Sequence, residues 1–152
     1  MSIETPDLSG NYERLIDVKG RLAVPAKMRV ELGGSCVVGA SAQAGGEQHL
    51  NLIPQRSGWR ELAGELLTAD MPDERRRRLR TRDLATLVSV RFSIIEVDGQ
   101  GRILLPLALR AYANLTHSNA EQPTSVKAVV SGMGVYGQVW NPELWSSYYS
   151  RL

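Results

Sequence analysis

Apolar positions along the chain follow two periods. Trp59, Leu62, Ala63, Leu66 and Leu67 recur at i, i+3, i+4, i+7 and i+8, interrupted only by Gly64, which is the stripe of a helix packing one face on a core. Val88, Val90, Phe92 and Ile94 alternate with Ser89, Arg91 and Ser93, the pattern of a half-buried strand. Short apolar, strand-like runs at 36–38, 50–53, 126–130 and 136–140 read as further strands. Pro25 and Pro106 suit the first turn of a helix and predict short helices over 25–32 and 106–115, the first ended by Gly33-Gly34. Pro54 with Trp59, and Pro142 with Trp145, follow the strand-like runs of each half, and Asn141 is placed as an N-cap. A second helix in the middle is predicted to start at Asp70-Met71-Pro72 and to carry Arg75, Arg76, Arg77, Arg78, Arg80 and Arg82. The polar stretch 1–9 is read as disordered.

These patterns recur because the sequence itself repeats. Asp17-Val18-Lys19-Gly20-Arg21-Leu22-Ala23-Val24-Pro25 aligns without gaps with Asp98-Gly99-Gln100-Gly101-Arg102-Ile103-Leu104-Leu105-Pro106, a shift of 81 positions (98 minus 17). Asp, Gly, Arg and Pro coincide, and the alignment runs on to Arg29 against Arg110, with Met28 and Leu109 before them. Two halves of one ancestral unit follow: residues 10–60 and 88–145, joined by connecting helices over 61–87.

Composition narrows the function classes. With 43% hydrophobic and 22% charged residues in 152, the chain supports a packed core and is short for a multi-step enzyme. Eighteen Lys and Arg stand against 16 Asp and Glu, so net charge alone does not announce nucleic acid; cations gathered on one face, or multiplied by oligomerisation, would be needed. A single cysteine, Cys36, excludes an intrachain disulfide and fits a reducing cytoplasm. No apolar stretch reaches membrane-span length, and the N-terminus lacks a signal pattern.

The repeated motif carries the candidate chemistry. Asp at the first position and Gly at the fourth suit a β-turn, since the carboxylate accepts backbone N–H groups and Gly tolerates a left-handed conformation. Thus Asp17, Gly20, Asp98 and Gly101 are turn-forming, in a strand-turn-strand setting. An arginine leaving such a turn can pair in bidentate fashion with guanine O6 and N7 or with phosphate, and Lys19 adds a phosphate contact. The structural alternative is that Asp17, Gly20 and Arg21 only stabilise a hairpin, with Arg21 pairing to an acidic neighbour. Turn geometry accounts for Asp and Gly, and helix initiation for Pro; neither accounts for an Arg kept in both copies.

At these residues the chain resembles the MraZ transcriptional regulators, whose halves each belong to the wider AbrB and MazE class of DNA-binding units. The similarity covers both motifs, Gly10-Asn11-Tyr12-Glu13, the Leu52-Ile53-Pro54 and Trp59 region, and Val139-Trp140-Asn141-Pro142-Glu143-Leu144-Trp145. The resemblance implies an α+β fold, a duplicated double-split β-barrel with pseudo-two-fold related halves and flanking helices. It also implies a ring-shaped homo-oligomer that binds short direct repeats in double-stranded DNA, upstream of a cell-division and cell-wall gene cluster, in the cytoplasm and at the nucleoid. The family's DNA-contacting arginines map to Arg21 and Arg102, and its accompanying basic position to Lys19, where the second copy has Gln100. The sequence departs from the family at Gly99, where a Lys is common, in the insert Ala44-Gly45-Gly46, and in its dense arginine run.

Other features weigh less. Asp73, Glu74 and Asp83 flank the arginine run, which reads as a solvated or subunit-pairing helix sooner than as a DNA contact. Arg29 and Arg110 read mainly as structural ion-pair or capping residues. His49 and His117 show no metal-ligand spacing, and Gly132-Met133-Gly134 lacks the Lys and the glycine pattern of a phosphate loop. Ser131 is not in a nucleophile elbow, and no base or nucleophile repeats beside Asp17 and Asp98, so no enzyme, cofactor, metal or small-molecule substrate is expected. Trp59, Trp140 and Trp145 read as core or interface anchors. The competing functions are an antitoxin-like DNA binder and a scaffolding oligomer that binds no DNA.

Overall fold

The computed structural model describes residues 7–41, 48–69, 71–116 and 125–152. In chain order the elements are β1 (Asn11–Ile16), β2 (Arg21–Ala23), α1 (Ala26–Leu32), β3 (Ser35–Ala40), β4 (Leu50–Pro54), α2 (Trp59–Thr68), α3 (Asp73–Arg78), α4 (Thr81–Arg91), β5 (Phe92–Glu96), β6 (Arg102–Leu104), α5 (Leu107–Tyr112), β7 (Val126–Gly132), β8 (Gly137–Trp140) and α6 (Pro142–Ser150). The eight strands form one antiparallel sheet in the order β5-β3-β4-β8-β7-β1-β2-β6. Exchanging each strand for its counterpart in the other half (β1 with β5 and β2 with β6 at the 81-residue shift, β3 with β7 and β4 with β8 at a larger one) leaves every neighbour relation unchanged once β5 meets β6. That seam is the second hairpin: Asp98 N donates to Arg102 O at 2.9 Å, as Asp17 N donates to Arg21 O at 2.9 Å in the first. The sheet is therefore nearly closed on itself with pseudo-two-fold symmetry, a duplicated split β-barrel of the α+β class.

The halves are interleaved. β1 pairs along its whole length with β7, β2 with β6, β3 with β5 and β4 with β8, so each strand of one half finds a partner in the other. Ile16, Leu22, Met28, Val38, Leu52, Ile103, Leu105, Val130 and Val139 share the barrel interior. The continuous apolar run in β3 has a simple cause: Cys36 and Val38 face the barrel, while Val37 faces a second cluster with Ile53, Ala63, Leu67, Val88 and Phe92 beneath α2 and α4. A strand covered on both faces cannot alternate.

Helix boundaries follow local chemistry. The α2 stripe lies on this second core, with Ala63 and Leu67 buried and Trp59, Leu62 and Leu66 packed at its margin. Pro25 and Pro106 sit just outside α1 and α5 as N-caps, and α5 stops at Tyr112, short of the expected 115. Asn141 caps α6, its Oδ1 accepting from Glu143 N at 2.8 Å and Leu144 N at 3.2 Å. α6 covers the outer face of β8, where Trp140 is buried between His49 (ring centroids 4.5 Å) and Tyr148 (5.2 Å), with Trp145 edge-on at 5.7 Å.

Three expectations need correction. The alternation from Val88 onward does not mark a strand at 88–91, because α4 runs to Arg91. Leu84, Leu87 and Val88 fall at helical spacing toward the second core, while Val90 is 77% exposed, so the period-two reading took one buried residue per turn for one face of a sheet. The arginine run is not one helix either: α3 ends at Arg78, and α4 begins at Thr81 after Leu79 and Arg80 in extended backbone. Residues 7–9 are ordered, since Leu8 is buried and exchanges both backbone hydrogen bonds with Gly134 (2.6 and 2.8 Å). Residues 1–6, Asp70, the insert at 44–46 and His117 lie outside the described residues.

Candidate nucleic-acid interface

Both motif turns are built alike. Gly20 N donates to Asp17 O at 2.9 Å, closing a four-residue turn, and Gly20 then takes a φ of +89° that an L side chain rarely adopts. Gly101 N donates to Asp98 O at the same distance, with Gly101 at φ +76°. Each aspartate ties the turn together: Asp17 Oδ1 accepts from Lys19 N and Arg21 N, both at 2.9 Å, and Asp98 Oδ1 from Gln100 N at 2.8 Å and Arg102 N at 2.9 Å. The other carboxylate oxygen takes the guanidinium, Arg21 Nε at 2.7 Å from Asp17 and Arg102 Nε at 3.1 Å from Asp98.

This last contact supplies what turn chemistry left unexplained. The repeated arginine locks its own turn through Nε, so pairing to an acidic neighbour is a real part of its role. Neither guanidinium is sealed inside. The side chains of Arg21 and Arg102 keep 32% and 27% of their surface exposed, and one Nε bond uses one of five N–H donors.

Register brings the two turns into a single patch. In the β2–β6 ladder Leu22 is opposite Ile103, both fully buried, and this pair lies on the pseudo-two-fold axis. One residue to either side the chain faces outward, placing Arg21 opposite Leu104 and Ala23 opposite Arg102. The two arginines are thus diagonal neighbours on one outer face, about 7–8 Å apart at the backbone. Arg102 Nη1 reaches to 4.0 Å from Asp17, linking the turns directly. Lys19 and Gln100 are exposed at the tips, with Val18 and Leu104 beside them.

Arg29 and Arg110 depart from the ion-pair and capping reading. Among the described residues neither forms an ion pair. Instead each crosses to the turn of the other half. Arg110, on α5, lies over Gly20, where an added Cβ would be 2.8 Å from Cζ and 2.9 Å from Nε and Nη2; Arg29, on α1, covers Gly101 in the same way. Gly20 and Gly101 are buried for this reason although Lys19 and Gln100 next to them are exposed. The crossover is reinforced by the backbone, Leu105 N donating to Gly20 O at 2.9 Å and Val24 N to Gly101 O at 3.0 Å. Arg110 Nε also donates to Leu105 O at 3.0 Å, while the buried Arg29 Nε has no partner among the described residues. The sequence did mark these two positions, since Arg29 and Arg110 align at the same 81-residue shift as the turns, but not which glycine each covers.

The electrostatics follow from the bonding. Desolvation acts to raise the Asp17 carboxyl, but the backbone and guanidinium hydrogen bonds of Arg21, the Lys19 N–H and the Arg21 charge together hold it below its ordinary value. Asp98 is also lowered, chiefly by the Arg102 backbone N–H, against some desolvation and with help from Gln100 N and the Arg102 side chain. Both carboxylates are therefore ionised at neutral pH, and each balances its own arginine. The arginine-rich segment sits elsewhere and is partly self-neutralised, with Arg78 on Glu74 at 2.6 Å, Arg80 on Asp83 at 3.4 Å and Arg76 capping the end of α2 through Thr68 O. Among the described residues no three His, Cys, Asp or Glu side chains are grouped to hold a metal ion, and no helix is long and apolar enough to cross a membrane.

A nearly closed, duplicated split barrel that displays two matched arginine turns on one face defines a class of duplicated β-barrel proteins, and sequence comparison places the chain within it. Residues 93–152 match the family model described as "MraZ protein, putative antitoxin-like". The Transcriptional regulator MraZ of Herpetosiphon aurantiacus is 36% identical over 138 residues, covering 91% of this chain and 83% of that protein. Those of Thermomicrobium roseum and Bifidobacterium longum are 35% and 33% identical, covering 94% and 96% of this chain and 87% and 85% of their own length. The chain belongs to the MraZ family.

Proposed function

We propose that this protein is a transcriptional regulator that binds double-stranded DNA through the β2–β6 face, with Arg21 and Arg102 as the central contacts and Lys19 and Gln100 flanking them. The observation that carries this reading is the placement of both guanidinium groups, as diagonal neighbours, on one outward face of a ladder whose other face is fully buried. The Asp-to-Nε bond fixes each side chain without consuming its terminal N–H groups, so the fork arrives pre-oriented for guanine O6 and N7 or for phosphate. Preorganisation of this kind lowers the ordering cost of binding. The relatives named as transcriptional regulators support the same reading.

The finer picture is a ring-shaped homo-oligomer acting at the nucleoid. Several copies of a small patch then meet short direct repeats upstream of a cell-division and cell-wall gene cluster, and weak contacts add through effective concentration. Asp17, Gly20, Asp98 and Gly101 build the turns and touch no base. Footprinting on the promoter of the protein's own gene tests the proposal, with Arg21→Ala as control. The expected result is protection at evenly spaced repeats that Arg21→Ala abolishes while light scattering shows an unchanged assembly. Protection equal to that of the unsubstituted protein would remove Arg21 from the interface.

A further inference from the structure

The cations of this patch fall into two kinds. Arg21 and Arg102 are each matched by the carboxylate of their own turn. Arg29 and Arg110 are half-buried within the same patch and form no ion pair among the described residues. Covering a glycine explains why a long side chain lies there; it does not explain why that side chain is charged. An uncharged arm would cover Gly20 or Gly101 equally well, without adding a cation beside other cations. Like charges brought together and partly desolvated repel, and the arrangement costs stability unless an anion completes it.

The pseudo-symmetry sharpens the point. Each free guanidinium serves the turn of the opposite half, Arg110 over Gly20 and Arg29 over Gly101, and the alignment keeps both arginines where most neighbouring positions have diverged. Arg110 spends Nε on Leu105 O, which leaves its terminal nitrogens without a protein acceptor among the described residues. We propose that Arg29 and Arg110 are phosphate-contacting residues, so that each DNA-binding unit is a composite of a β-turn from one half and a helix-borne guanidinium from the other. This rests on the DNA-binding reading above and adds two residues to it. It also divides the labour: the charge-compensated Arg21 and Arg102 discriminate, while Arg29, Arg110 and Lys19 carry the salt-dependent attraction to the backbone.

The test is the salt dependence of duplex binding, measured on repeat-containing and scrambled duplexes for the unsubstituted protein, Arg29→Gln, Arg110→Gln and Arg110→Lys, at matched assembly size. Each Gln variant is expected to flatten the slope of log K against log salt by about 0.9 for every phosphate that is no longer neutralised, on both duplexes alike, and Arg110→Lys to keep the slope. Because a Gln variant could fold poorly, a second measurement uses the unsubstituted protein: phenylglyoxal modification of Arg29 and Arg110, read by peptide mass, should slow several-fold when duplex is bound. Slopes equal to the unsubstituted protein, or modification rates untouched by a bound duplex, overturn this assignment alone. Failure of the unsubstituted protein to bind any duplex at low salt overturns the DNA reading itself.

Discussion

Placing an alanine at Gly20 tests the reciprocal brace between the halves. The residue has φ +89°, and a side chain held in the left-handed region costs about 1–2 kcal/mol. Its methyl would also stand 2.8–2.9 Å from three atoms of the Arg110 guanidinium, which has to move. Moving it gives up the Arg110 Nε bond to Leu105 O, worth about 0.5–1.5 kcal/mol net. The expected total is about 1.5–3.5 kcal/mol, or about 3–14 °C in Tm for a domain of this size. Gly134 is the matched control: its φ is +91° and nothing lies within 4 Å of an added Cβ, so Gly134→Ala should cost only about 1–2 kcal/mol. Denaturant unfolding of both variants at one fixed protomer concentration gives the comparison, since assembly couples to apparent stability. Repeating Gly20→Ala in an Arg110→Ala background should erase the excess and leave the backbone cost. Equal losses at Gly20 and Gly134, or an excess that survives removal of Arg110, would refute the claim that the arginine of one half packs on the turn of the other.

Two further outcomes follow from the ionisable groups. Asp17 and Asp98 are held below the ordinary carboxylate value of 3.8, so their contribution is complete above that value and is lost as pH falls through their folded-state values. Asp17→Asn/Asp98→Asn should therefore be less stable than the unsubstituted protein at pH 7, yet lose stability less steeply below about pH 4; parallel acid limbs in urea midpoints would contradict this. Cys36 is buried in the barrel and its thiol is pushed up to about 12, so a disulfide reagent at pH 8 should label it only as fast as the protein unfolds. Immediate stoichiometric labelling of the native protein would show that the barrel interior is open.

Much of this protein was legible in residues that act locally. The Asp-x-x-Gly-Arg spacing dictates a turn because its donors and acceptors lie within four residues of one another, and Asn141 caps α6 for the same reason. The α2 stripe was readable because a helix presents one face at a fixed period. Duplication was readable too, since aligned Asp, Gly, Arg and Pro need no coordinates. Local patterns failed where two structures share a signature: Val88 and Phe92 are as consistent with one helical face as with a strand, and packing on α2 decided for the helix as far as Arg91.

Tertiary structure alone decided how the halves combine. No property of the segment 21–23 says that its hydrogen-bonding partner is 102–104, yet that ladder puts both arginines on one face. Nor could spacing show that Arg110 belongs to Gly20 and Arg29 to Gly101, because those contacts join residues roughly ninety and seventy positions apart through an interleaved sheet. Sequence determined the two turns and the chemistry each could offer. Packing of Leu22 and Ile103 into the shared apolar interior determined that the turns lie on one surface, since burying that face of β2 and β6 turns Arg21 and Arg102 outward together.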